Sequence, residues 1–170
     1  MATLKKTITA TLTMTEVLYD IMNETYLRGR SLQNGENYKE VANMFASLDD
    51  ENADKILRSI KRSFAEVKTE LSEYLDEDGK TTNNAIINAT DNLVLSLKMP
   101  TNFNEAATAG LAEAVHSYIV NKTVSDWYIV TNKNDAQDYL AIAASALDSI
   151  RKSASKRSRP KREDMPVKLK

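Results

Sequence analysis

Thr7-Ile8-Thr9-Ala10-Thr11-Leu12-Thr13-Met14 alternates strictly, with four apolar side chains set against four threonines. Side chains of an extended chain point to opposite faces in turn, so a period of two reads as a strand with one buried face. Far downstream the pattern returns: Leu93, Leu95, Leu97 and Met99 face one way, Val94, Ser96 and Lys98 the other, and Pro100 stops it. A lone strand leaves its backbone groups unsatisfied, so Ile8–Met14 is expected to pair with Leu93–Met99. The rest of the chain has a helical period. The expected fold is therefore mainly α: a bundle of about four helices with a small two-stranded β element and an extended basic C-terminal arm.

Thr13 and Glu16 have the spacing of a capping box, which turns the first strand into a helix whose stripe is Leu18, Ile21, Met22 and Tyr26, with Gly29 as its stop. Asn34-Gly35 marks a loop, and Tyr38–Ala46 suits a short helix. Asp49 and Asp50 head the clearest element, in which Ile56, Leu57, Ile60, Phe64, Val67 and Leu71 recur at spacings of three and four. After Pro100, Asn102 or Asn104 caps a helix carrying Leu111, Ala114, Val115, Tyr118 and Ile119, and Val120, Val124, Trp127 and Tyr128 broaden its apolar surface. Asp135 opens the last helix, with Ala136, Tyr139, Leu140, Ala143, Ala146, Leu147 and Ile150 on one side.

The 170 residues, 42% of them apolar, suffice for one core without cross-links, and the absence of cysteine excludes disulfides and thiolate metal sites. No apolar run reaches the length of a signal peptide core or a membrane span, so neither secretion by such a signal nor membrane insertion is expected. A net charge of −1 conceals segregation: residues 151–170 hold nine Lys or Arg and two acids, which leaves 14 basic and 22 acidic residues in positions 1–150. Positions 1–150 read as the helical domain and 151–170 as a basic arm. The body is acidic, and its four helices are read as carrying no basic stripe of the kind nucleic-acid-binding domains present.

Few residue types for chemistry are available. His116 is the sole histidine, and one imidazole without cysteine does not make a transition-metal site. Asp49-Asp50-Glu51 is explained by a helix start, and Asp76-Glu77-Asp78 lacks the spacing of a calcium loop. Four scattered glycines form no phosphate cradle. No catalytic, cofactor or metal residue is assigned, and the chain is not read as an enzyme.

Interface residues are a different matter. Trp127 and Tyr128 are adjacent, and adjacent helical side chains diverge by about 100°, so one of them is expected to face another subunit. In the arm, Arg157, Arg159, Lys161 and Arg162 supply charge, while Met165, Val167 and Leu169 alternate along an extended segment. They are expected to dock on a neighbouring subunit or to add a strand to its sheet edge.

Two blocks bear a resemblance: the strand, Pro100, Asn102-Phe103 and aromatic-pair helix of Leu93–Tyr128, and the Asp135–Arg162 segment with its alanine-rich helix and Arg/Lys-Pro tail. Together they resemble the small neck and head-tail connector (adaptor or tail completion) structural proteins of tailed phages and prophages of the Bacteroides type. The resemblance implies a virion component assembled in the host cytoplasm, a homo-oligomeric ring of six or twelve copies. Such a ring joins portal and tail, or other neck proteins, and DNA passes through it without specific binding. The alternative is a nucleic-acid-binding accessory protein that uses the basic C-terminal tail.

Overall fold

The computed structural model describes residues 5–76 and 83–159. Strand β1 (Lys6–Leu12) leads into helix α1 (Met14–Leu32), the short α2 (Tyr38–Ala42) and the long α3 (Asp50–Glu70). Strand β2 (Leu93–Met99), α4 (Thr108–Thr131) and α5 (Lys133–Ala154) follow. The fold is mainly α with one antiparallel pair, in which Lys6 faces Met99, Thr9 faces Ser96 and Leu12 faces Leu93. Both strands stand where their alternation put them, except that Met14 is helical. One face of the pair buries Ala10, Leu12, Leu93, Leu95, Leu97 and Met99, while Thr7, Thr9 and Thr11 are exposed.

Helix α4 is the axis of the molecule. Leu111, Val115, Ile119 and Val124 are inaccessible to solvent, and Val120, Ser125, Trp127 and Tyr128 are buried as well. A helix buried on several sides needs apolar residues all round, and α1, α3, α5 and β1 all pack on this one. That breadth explains the surplus read in the sequence. Trp127 donates its indole N–H to the Met44 carbonyl at 3.0 Å, and the Tyr128 hydroxyl donates to the Thr25 carbonyl at 3.3 Å. The two rings diverge as adjacent residues must, but into two parts of one chain. The subunit contact expected at one of them is not needed to bury either.

Local details depart from the expected punctuation. The Thr13 side chain makes no capping bond; its carbonyl instead accepts from the Glu16 and Val17 amides at 3.1 and 3.2 Å. Gly29 lies inside α1, where a Cβ would stand 2.3 Å from the Phe45 ring, so glycine is there for close approach and not as a stop. Tyr26 is turned outward, and Thr25 and Gly29 take the buried positions. Asn104 caps a short 3-10 turn, Glu105–Ala107, that feeds α4, and Asn132 caps α5 by accepting from the Asp135 amide. Leu140 points outward from α5.

Helix α5 continues to Ala154, which is buried, and Arg151 grips Glu70 with two hydrogen bonds of 2.5 and 3.0 Å. Beyond the helix the chain runs back along the segment after β2. The Asn104 amide donates to Lys156 O at 3.2 Å, and the Ser158 amide to Asn102 O at 2.7 Å. Residues 151–158 therefore belong to the folded body.

Candidate functional site: a basic face and its cleft

The apolar stripe of α3 turns inward through Ile56, Ile60, Phe64, Val67 and Leu71. The outward sides of that helix carry Lys55, Arg58, Lys61 and Arg62 within about two turns, and Lys68 beside the Phe64 ring at the edge of the core stripe, with Asp54 an acid among them. This cluster is a basic surface of the kind read as missing from the sequence. Glu66, at its margin, is occupied by the Tyr118 hydroxyl at 2.5 Å. Burial and the Glu66 carboxylate hold that phenol well above its ordinary pKa, so it stays a hydrogen-bond donor.

Where α3 meets α4 the cluster borders a cleft of about 500 Å³ lined by Asp54, Lys55, Arg58, Ser59, Arg62, Asp126 and Ile129. Asp126 is the acid on its floor, and its oxygens are occupied: one by Lys122 at 3.1 Å, the other by the Ser59 hydroxyl at 2.7 Å with Arg62 at 3.7 Å. Lys122 thus offsets the floor charge. Lys55 lies over the Trp127 ring, 4.9 Å from its centroid, a contact that orients the ammonium without neutralising it. Lys61 donates to the Asn83 and Ala85 carbonyls at 2.8 and 2.6 Å and keeps its charge. Arg58 is exposed and makes no ion pair among the described residues.

Deeper in, a pocket of about 10 Å³ lies between Lys55, Ile56, Ser59, Thr123, Asp126 and Trp127. Thr123 Oγ1 is buried there without a hydrogen-bond partner among the described residues. A space of this size suits a single water. The cleft thus presents Lys55, Arg58 and Arg62 against Asp54 and Asp126, a surplus of one positive charge, with the Ser59 hydroxyl donated to Asp126 and an apolar wall at Ile129.

A second polar region ties α1 to α4 and α5. Arg28 holds Asp135 in a fork of 2.7 and 2.6 Å, Tyr139 donates to Glu24 at 3.1 Å, and His116 Nε2 meets Asp20 at 2.7 Å. Burial first, and then Glu24, push the Tyr139 phenol up to about 12. Each of these contacts runs from α1 to α4 or α5, so the region fastens helices.

Of the residues singled out in the sequence, Trp127 and Tyr128 are internal, although Trp127 backs the basic cleft. Arg157 donates to the Ala154 carbonyl at 2.9 Å and, as an isolated bridge partner of Phe103, closes the body. Arg159 is exposed. Lys161, Arg162, Met165, Val167 and Leu169 lie outside the described residues. Among the described residues no group of three His, Asp or Glu is placed to hold a metal ion, and no helix is long and apolar enough to cross a membrane. Compared with protein-family models, curated proteins and solved structures, the chain matches none.

Proposed function

We propose that the chain is a non-catalytic binding subunit whose α3 face engages a polyanion, with nucleic acid as the ligand class. The observation that carries this reading is the α3 cluster of Lys55, Arg58, Lys61 and Arg62 on a body that is acidic elsewhere. Concentrating cations on one rigid helix gives closely spaced phosphate contacts, and the cleft gives one of them a seat. Phosphate contacts of this kind steepen the dependence of affinity on salt by about 0.9 per phosphate neutralised. The test is a salt titration of duplex and single-stranded DNA binding by the full chain and by Lys55→Gln/Arg58→Gln/Arg62→Gln. Binding weakened by tenfold or more with a shallower salt slope supports the reading. Binding unchanged in this variant but lost on deleting residues 160–170 assigns the ligand to the tail instead.

The connector reading stands second. Ile129 and Val130 favour it: they are 59% and 75% exposed at the end of α4, beyond what the core of one chain uses, as subunits packed side by side require. A ring of six or twelve copies seen by electron microscopy, abolished by Ile129→Asp/Val130→Asp in a folded protein, would favour it over the first.

A further inference from the structure

Strand β1 borders the sheet, and among the described residues no strand pairs with its outer edge. On the far side of β2, the Asp76 amide donates to Ser96 O at 3.0 Å, so the peptide groups of Ser96 point away from β1. Ser96 faces Thr9, and in an antiparallel ladder facing residues either both bond inward or both point outward. Thr9 therefore directs its N–H and C=O away from β2, and by alternation Thr7 and Thr11 do the same. No backbone hydrogen bond from a described residue outside the sheet ends on these three. Natural sheet edges are guarded by charges, prolines or bulges; β1 has a single charge, Lys6 at its first position, engaged by Glu105, and Thr7–Leu12 has none of these.

We propose that β1 pairs edge to edge with β1 of a second copy of this chain, antiparallel about a two-fold axis through Thr9. The segment is its own complement. Thr9 meets Thr9 and Thr7 meets Thr11 of the second copy, so every outward donor finds an outward acceptor, and threonines stack across the seam. Ile8 falls opposite Ala10, a large residue against a small one. Charge agrees as well: Lys5 comes opposite Thr13, at the start of the second copy's α1, whose first turn holds Glu16. Neither Lys5 nor Glu16 has a side-chain partner among the described residues, and the two-fold supplies each with an opposite charge. The chain's own alternating tail is a poorer occupant. Antiparallel docking with Met165, Val167 and Leu169 facing inward would aim the nitrogen of Pro166, which has no hydrogen, at β1.

Because the chain lacks cysteine, introduced thiols report alone. In the full chain, Thr9→Cys should be captured as a covalent dimer by a short bis-methanethiosulfonate. Thr7→Cys and Thr11→Cys should not couple separately, yet should couple to each other when mixed. Thr9→Pro removes a donor that the β1–β2 ladder does not use, so sedimentation velocity should show a monomer with an unchanged circular dichroism spectrum. The proposal is overturned if the wild-type chain is monomeric at NMR concentrations, if Thr7→Cys couples to itself as readily as Thr9→Cys, or if deleting residues 160–170 abolishes a dimer that Thr9→Pro preserves.

Discussion

Gly29 shows how one missing side chain fixes a junction. The Phe45 ring sits where its Cβ would be, which locks the loop after α2 onto α1. Overpacking of this kind costs about 1–3 kcal/mol, against about 1 kcal/mol gained from alanine's helix propensity. Gly29→Ala is thus expected to be mildly destabilising in the wild type and stabilising once Phe45→Ala has removed the ring, a sign change that urea denaturation of the four proteins will measure. Trp127 is a second such residue. Trp127→Ala removes a buried indole and orphans the Met44 carbonyl, so a loss of about 3–5 kcal/mol is expected, read as a lower denaturation midpoint. A variant that keeps its stability would return Trp127 to the subunit surface.

At the scale of elements, helix ends are where charge does its work. Arg151 holds the Glu70 carboxyl below its usual range, mainly through their hydrogen bonds. A carboxylate with a depressed folded pKa stabilises above the unfolded pKa, and the contribution disappears as pH falls through the lower folded value. The fastening of α5 to α3 is therefore intact near neutrality and released in acid. Arg151→Gln is expected to return the Glu70 titration, followed by carboxyl NMR shifts, to the ordinary glutamate range. At the other end of α5, Arg28→Ala would leave the buried Asp135 charge without its fork, a loss of about 1–3 kcal/mol by thermal denaturation. These elements were largely legible in the sequence because period alone separates strand from helix: both strands and the four long helices stand where the apolar spacing set them. What escaped was tertiary. Nothing local distinguishes a glycine that stops a helix from one that admits a ring. The breadth of α4 looked like an interface because the number of helices packed on it is not written in its own residues. The cluster of Lys55, Arg58, Lys61 and Arg62 on α3 was legible, but bulk charge over residues 1–150 hid it.

For the whole molecule, what the backbone beyond residue 150 contributes can be measured. Stopping at Ile150 removes Ala154, the Arg151–Glu70 fork and the backbone bonds of Lys156 and Ser158, and should lower the midpoint markedly. A midpoint equal to that of a chain ending at residue 159 would put the boundary at residue 150. The same closure has a temporal side. Ala10 bonds into a sheet only when Leu95 arrives, and at about 5–20 residues per second of synthesis the eighty-odd residues between them take roughly 4–17 s to emerge. Throughout that interval the uncharged run from Thr7 to Leu12 has no partner strand within its own chain. The first strand to be made is thus left waiting for its partner through most of the time the chain is being synthesised.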